Sequence, residues 1–338
     1  MKKLKELQTR EDLALYLAIP LQKLTYILYK SKPDSYYDTF EIPKKNGESR
    51  QIHAPSGDLK QLQKKLAQRL WDVYREFIEE NEIQDNISHA FQKGKSIITN
   101  ANIHRNKRYV LNLDLKDFFD HFHFGRVRGF FMKNKNFELP VEIATMIAQL
   151  TCYEGKLPQG APTSPIITNL VCNILDMRLL KIAKKYRVVY TRYADDMTFS
   201  TNDKKFLENQ ENFMKSIKKE IESFGFEIND KKTRLLFCDS RQEVTGLVVN
   251  KKISVNREYC KRTRAMADAF YRRGIFEICG EEGSVNQLEG RFSFINQIDC
   301  YNNKNDREQK HTFWTLNARE CQYQKFLFLI MNRCLTVR

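Results

Sequence analysis

The stretch Tyr109 to Leu115, YVLNLDL, alternates strictly, and that alternation constrains the chain more than any other feature. Leu111, Leu113 and Leu115 lie on one face of a strand, and Val110, Asn112 and Asp114 on the other. Asp114 thus projects from the more polar face of a strand whose other face is all leucine. Further on, YTRYADDMTFS (Tyr190 to Ser200) places Asp195 and Asp196 where the chain should turn, between strands at Val188–Arg192 and Met197–Ser200. SPIITNLVCNILDMRLLKIAKKY, which comes between, reads as a helix. Ser164 can cap it, Pro165 suits its first turn, and Ile167, Leu170, Val171, Ile174 and Ile182 make its core stripe. Asn202 to Phe224 is a further helix. Strand, helix, hairpin, helix is a split β-α-β arrangement in an α+β fold. It sets Asp114 beside Asp195 on adjacent central strands, across 81 residues of sequence.

The flanking regions are also patterned. Residues 1–35 read as helical, with Leu13, Leu17, Leu21, Leu24 and Leu28 near helical spacing. IPKKNGESRQIHAPS reads as a hairpin that turns over Lys44–Ser49 and returns along Arg50–His53. Asp58 caps a long helix with Leu59, Leu62, Leu66, Leu70, Val73 and Phe77 along one side. EVTGLVVN and KISVN form a second strand pair meeting at Asn250–Lys252, and from residue 256 the chain is helical again.

The 338 residues are enough for two or three packed units. With 41% hydrophobic and 29% charged residues, the composition is that of a soluble globular protein. Lys and Arg number 57 against 42 acids, a net charge of +15, which points to a polyanionic partner, most commonly nucleic acid. From Lys251 onward sixteen cations face ten acids and are interleaved with Tyr301, Phe313, Trp314, Tyr323, Phe326 and Phe328. Such a segment suits RNA backbone and unstacked bases. The eight cysteines form no CxxC pair, which excludes a zinc ribbon and fits reduced thiols in a cytoplasmic protein. No early apolar run qualifies as a signal peptide or a membrane span.

Hard divalent cations such as magnesium take one or two protein carboxylates and fill their remaining positions with water and phosphate. Two such ions about 4 Å apart can activate a hydroxyl and stabilise a departing pyrophosphate. Three carboxylates on two adjacent strands of a basic protein suit that work, since their repulsion requires a cation or a proton between them. Taken alone the YADD stretch is weak evidence, because aspartate is an ordinary turn residue.

Three further stretches accompany it in order: DLKDFFD, with Phe119 five residues after Asp114; LPQGAPTSP, Leu157 to Pro165; and GFEINDKKT, Gly225 to Thr233. As a set they resemble the reverse transcriptases, over residues 40–250. The resemblance implies a right-hand polymerase. Its parts would be an N-terminal helical segment (1–35), fingers (36–108 with part of 132–165), a palm (109–250) and a helical, RNA-binding thumb (251–338). It implies two Mg²⁺ ions on Asp114 and Asp195, with Asp196 completing the triad. Phe119 matches the position that packs under the incoming sugar and excludes a ribose 2′-hydroxyl. Asp117, Gln159 and Gly160 match the nucleotide pocket. Arg50, with Lys44 or Lys45, matches the residues that hold the triphosphate. Lys231 or Lys232 matches a proton donor to pyrophosphate, and Tyr193 lies on the template-primer side.

NANIH (Asn100 to His104) before the Asp114 strand, and VTG (Val244, Thr245, Gly246) after the palm, resemble the retron reverse transcriptases of bacteria. That likeness implies RNA or template-primer contact at Asn100, His104, Val244, Thr245 and Gly246. It also implies a cognate structured non-coding RNA as template, deoxynucleotide substrates, and DNA started from a guanosine 2′-hydroxyl to give a branched RNA–DNA. Host RNase H trimming, a separately encoded effector, antiphage defence and a bacterial cytoplasmic location belong to the same expectation. The alternatives are another bacterial reverse transcriptase with different priming, a catalytically silent RNA-binding palm, and an RNA-making palm, which Phe119 disfavours.

Overall fold

The computed structural model describes residues 3–43, 47, 49–81 and 86–309, with side chains up to residue 303. In chain order the elements are helices α1 (Arg10–Tyr16) and α2 (Leu21–Thr25), strands β1 (Tyr37–Pro43) and β2 (Ser49–Pro55), helices α3 (Gly57–Glu80) and α4 (Ile97–Ile103), and strand β3 (Tyr109–Asp114). Helices α5 (Phe124–Lys133), α6 (Val141–Thr151) and α7 (Ser164–Lys185) follow, then strands β4 (Val189–Tyr193) and β5 (Asp196–Thr201) and helix α8 (Phe206–Ser223). Strands β6 (Arg234–Phe237), β7 (Glu243–Val244), β8 (Leu247–Val248) and β9 (Ser254–Val255) lead to helix α9 (Arg257–Arg273). Strands β10 (Glu277–Ile278) and β11 (Glu281–Glu282) and helix α10 (Val285–Gln309) close the described chain. Two compact units result: residues 1–96 with 111–235, and residues 97–110 with 236 onward.

The first unit is organised by the sheet β4-β5-β3-β6. The central strand β3 sits beside β5, as the split β-α-β reading requires. Both faces of β3 are covered: Val110 and Asp114 are buried along with the leucines, and only Asn112 is partly open. The face of Asn112 is therefore an interior polar face, where Thr198 Oγ1 donates to Asn112 Oδ1 at 3.2 Å. Helix α7 buries Ile166, Ile167, Leu170, Val171, Leu175, Leu179 and Ala183 against neighbours on several sides. Helix α8 lays Phe213, Ile217 and Ile221 inward, and Phe213 meets Phe199 of β5 edge-on at 5.4 Å. Helix α3 buries Leu59, Leu62, Leu66, Leu70 and Tyr74 at three- and four-residue spacing. Each buried leucine contributes about 2 kcal/mol.

Several local expectations are corrected. Helix α7 has Thr163, not Ser164, at its N-cap, and the Ser164 hydroxyl donates instead to the Pro158 carbonyl at 2.7 Å. Ile174 and Ile182 stand off the helix's buried side, because the sheet takes the face through Leu175 and Leu179. Helix α3 is capped from Ser56, so Asp58 lies in its first turn. The N-terminal leucine repeat is broken at Ala18, whose φ of +51° ends α1 and redirects the chain. EVTGLVVN, in turn, is a tight hairpin rather than one strand, with β7 and β8 joined by Thr245 and Gly246.

In the second unit β7, β8 and β9 form a three-stranded sheet. Its core gathers Ile98 and Ala101 of α4, Val110, Val244, Leu247, Val249, Ile253 and Ile298 of α10. A short hairpin, β10–β11, interrupts the helical C-terminal region and carries Phe276 next to Ala267 and Leu288. Phe313, Trp314, Tyr323, Phe326 and Phe328 lie outside the described residues.

Burial pushes the thiols of Cys152 and Cys172 up to about 12, so both are protonated and shielded at neutral pH, whereas Cys238 and Cys279 are exposed. Brief alkylation of the native protein followed by peptide mass mapping is expected to label Cys238 and Cys279. Cys152 and Cys172 should react only after denaturation.

Candidate active site

Strands β4 and β5 pair through Tyr193 and Asp196, so the turn between them is the two residues Ala194 and Asp195. Asp195 thus sits in the turn and Asp196 opens β5. The Leu115 N–H donates to the Asp195 carbonyl at 3.3 Å, which sets the turn against the end of β3 and brings Asp114 to it. On the other side of Asp114 runs the GFEINDKKT stretch. Its Asn229 N–H donates to the Asp114 carbonyl at 2.8 Å, and Leu115 bridges Ile228. This pairing delivers Lys232, whose Nζ lies 3.0 and 2.7 Å from the two carboxylate oxygens of Asp114. Of the two lysines the sequence offers, Lys232 is the one that reaches the carboxylates.

The electrostatics follow from crowding of like charge. Burial holds the Asp195 carboxyl above its ordinary value, and the charge of Asp114 adds to the effect, while Lys232 and Arg50 oppose it. Solvent reaches Asp196, yet the protein packed about it, followed by the charges of Asp195 and Asp114, pushes its carboxyl up to about 7. Lys232 is held above its usual value by its hydrogen bond to Asp114. Three repelling oxygen donors with one ammonium against them fit a hard divalent cation. Among the described residues no group of three acid, histidine or cysteine side chains is placed to hold a metal ion by itself. An ion held there would need water and phosphate oxygens to complete its shell.

Phe119 is held at the edge of an aromatic bed. Phe118 is buried and meets Phe119 edge-on at 5.4 Å, and Phe118 also stacks on Phe226 at 5.6 Å. Arg126 fixes the bed by donating to the Phe224 carbonyl at 2.7 Å and lying 4.9 Å from the Phe226 ring. Asp117 is exposed with φ +42°, so the chain leaves β3 through a left-handed residue. His121 and His123 have local partners: His121 Nδ1 contacts the Asp117 carbonyl, and His123 caps α5.

The Gln159–Gly160 loop is tied to the hairpin β1–β2. The His53 N–H donates to the Gln159 carbonyl at 2.9 Å. Gly160 has φ +122°, and a Cβ there would stand 2.8 Å from Ile52 Cγ2 and 2.9 Å from the His53 carbonyl oxygen. Only glycine allows the two backbones to approach this closely. Arg50 is exposed on the same strand, β2. Lys44 and Lys45 lie outside the described residues.

The second unit holds the remaining predicted residues. Asn100, His104 and Val244 are buried, at 1%, 0% and 1% exposure, so their side chains face the interior and not a nucleic acid. Thr245 and Gly246 reach the surface as a turn with φ +47° and +80°. The Thr245 hydroxyl donates to the Ile97 carbonyl at the start of α4, at 3.3 Å. NANIH and VTG are therefore one packed feature, a helix beneath a turn.

Sequence reasoning passed over Arg192, Asp176 and Asn169. Arg192 is wholly buried on β4, and its Nε and Nη2 donate to the Asp176 carboxylate of α7 at 2.8 to 3.1 Å. Burial opposes the charge, but Asp176 more than restores it and holds the guanidinium above its ordinary value. Removing one partner from such a pair typically costs about 3–5 kcal/mol. The available signal was an arginine inside an otherwise apolar strand and an aspartate on an apolar helix, each out of pattern for its element.

Residues 42–265 match the family described as "Reverse transcriptase (RNA-dependent DNA polymerase)". The chain belongs to this family, and its fold is the right-hand α+β polymerase fold that the family defines. It is 33% identical to the retron Ec86 reverse transcriptase of Escherichia coli, over 85% of this chain and 84% of that one. It is 32% identical to the retron Mx162 reverse transcriptase of Myxococcus xanthus over 88% of this chain and 65% of the relative, and 34% identical to the retron Mx65 enzyme over 77% and 62%. Within the family the chain is of the retron type, an RNA-directed DNA polymerase that uses a template RNA and deoxynucleotides. Enzymes of the family work with divalent metal ions. No helix among the described residues is long and apolar enough to cross a membrane.

Gly160→Ala is expected to lower stability by about 1–3 kcal/mol, from a clash with Ile52 and the His53 carbonyl of β2 plus a disfavoured φ. Thermal unfolding measures the loss, and the KM for deoxynucleotide should rise with it as Gln159 is displaced.

Proposed function

We propose that the protein copies a cognate structured non-coding RNA into single-stranded DNA, starting from a guanosine 2′-hydroxyl and yielding a branched RNA–DNA. The observation that carries the chemistry is the meeting of Asp114, Asp195, Asp196 and Lys232 at one end of the central sheet. Asp114 and Asp195 are the cation-binding carboxylates, with Asp196 beside them. When bound, a pair of magnesium ions supplies activation of the attacking hydroxyl and neutralises charge on the departing pyrophosphate. Lys232 carries its proton at Nζ toward the pyrophosphate. Arg50 clamps the triphosphate with a fork that matches phosphate oxygens, and Lys45 assists it. Asp117, Gln159 and Gly160 line the nucleotide pocket. Phe119 stands beneath the sugar and excludes a 2′-hydroxyl.

The four-part division proposed for the chain is N-terminal helices (1–35), fingers (36–108 with part of 132–165), palm (109–250) and thumb (251–338). The basic thumb grips the cognate RNA, Tyr193 touches the template-primer, and the Thr245–Gly246 turn offers a second contact. Asn100, His104 and Val244 support that turn from inside. The retron relatives carry the RNA-templated part of the reading. Action in the bacterial cytoplasm, in antiphage defence beside a separately encoded effector, completes it.

Purifying the protein from cells that carry its native locus and sequencing the bound nucleic acid tests the reading. A short DNA joined to RNA by a link sensitive to debranching enzyme, absent from Asp195→Asn, is the expected result. Unbranched DNA would move priming to another chemistry, and RNA alone, identical in both proteins, would leave a binding protein. Phe119→Ala is expected to improve the kcat/KM for ribonucleotides about 10-fold or more relative to deoxynucleotides, as removal of a steric block allows. Unchanged sugar selectivity in a single-nucleotide extension assay would undo the assignment of Phe119.

A further inference from the structure

The turn that presents Asp195 is strained. Ala194 holds φ +57° as the first residue of a two-residue hairpin turn, a position where glycine is favoured and a Cβ is penalised. Such a conformation persists only when its surroundings over-determine it. The Ala194 carbonyl accepts a hydrogen bond from Arg192 Nη1 at 3.1 Å. That guanidinium is itself fixed from behind. Asp176 takes three of its bonds, Asn169 Oδ1 accepts from Nη1 at 3.3 Å, and the Tyr190 hydroxyl donates to Asp176 Oδ1 at 2.8 Å. Tyr190 and Arg192, two residues apart, point to the same face of β4, toward α7.

The main chain of Arg192 is equally constrained. Its N–H donates to the Ile87 carbonyl at 2.8 Å, and its carbonyl accepts from the His89 N–H at 2.9 Å. The Ser88 hydroxyl donates to Asn169 Oδ1 at 2.9 Å, and Asn169 Nδ2 donates to the Ala90 carbonyl at 3.0 Å. Residues 87–90, β4 and α7 are thus clamped together about one guanidinium, and its Nη1, bonded also to Asn169, reaches on to the turn.

We propose that Arg192 is the positioning residue of the carboxylate turn. Held by Asp176, Tyr190 and Asn169, it grips the Ala194 carbonyl and so sets where Asp195 projects. The proposal rests on the assignment of Asp195 to cation binding. It differs from a role in packing alone, in which the pair would only fasten β4 to α7.

The test is single-turnover addition of one deoxynucleotide to a DNA primer on an RNA template, by the full chain, with magnesium titrated. Arg192→Lys keeps a positive charge opposite Asp176 but cannot also span to Ala194. Its rate constant is expected to fall about 10- to 100-fold, as a misplacement near 1 Å would cause, with a raised magnesium requirement and an unchanged reaction amplitude. Ala194→Gly, added to the lysine variant, should restore much of the rate, since glycine takes φ +57° unaided. A reduced amplitude at the wild-type rate constant, or a slow rate that glycine does not relieve, overturns the proposal.

Should the lysine variant not fold, Tyr190→Phe carries the same test. It keeps the ring stacked on Phe199 at 4.7 Å and removes one bond to Asp176. A rate constant lowered about 2- to 5-fold and recovered by Ala194→Gly is expected, in keeping with loss of one hydrogen bond. An unchanged rate constant overturns the proposal. An active Asp195→Asn would instead overturn the site assignment beneath it.

Discussion

A guanidinium with no exposed surface is tolerable only beside a carboxylate, and the palm is arranged about that requirement. Arg192 and Asp176 join the strand that leads into the carboxylate turn to the helix that crosses beneath it. Around them the ordinary apolar rules hold: leucines on β3, an aromatic column through Tyr190, Phe199 and Phe213, and a helix α7 buried on most sides. An apolar substitute pair could have packed the same volume. It could not have aimed a hydrogen bond at one main-chain carbonyl, because direction is what polar contacts add to a core.

The sheet order was legible because two signals agreed. Strict alternation made β3 a strand, and the apolar run from Ser164 could only be a helix before the hairpin. Polarity along the chain says little about burial. Asn112 lies on the more polar face of β3, yet that face is interior and Asn112 meets Thr198 there. Asn100 and His104, for which the retron resemblance implied RNA contact, are buried as well. The Thr245–Gly246 turn was hidden for a different reason. Threonine is a strand former, and its left-handed conformation is set by tertiary context, here a bond to Ile97 from far along the chain.

The candidate site residues could be picked out by type and not by partnership. The sequence offered Lys231 and Lys232 equally, and the choice falls out only when Asn229 pairs with Asp114 and fixes the phase of the following turn. Arg192 was harder to see. Its neighbours in YTRYADD drew attention to the aspartates, and nothing local tells whether an arginine in a strand points outward or into the core. The answer depends on Asp176, which lies on another element and fits no local motif.

Gly160 and His53 meet backbone to backbone, with the Ile52 side chain packed alongside. Contacts of that kind do not slip, since neither partner has a rotamer to change. The hairpin β1–β2 and the loop that carries Gln159 are therefore a single jaw. A shift of either one carries the other, so Arg50 on the strand and Gln159 in the loop keep a fixed spacing.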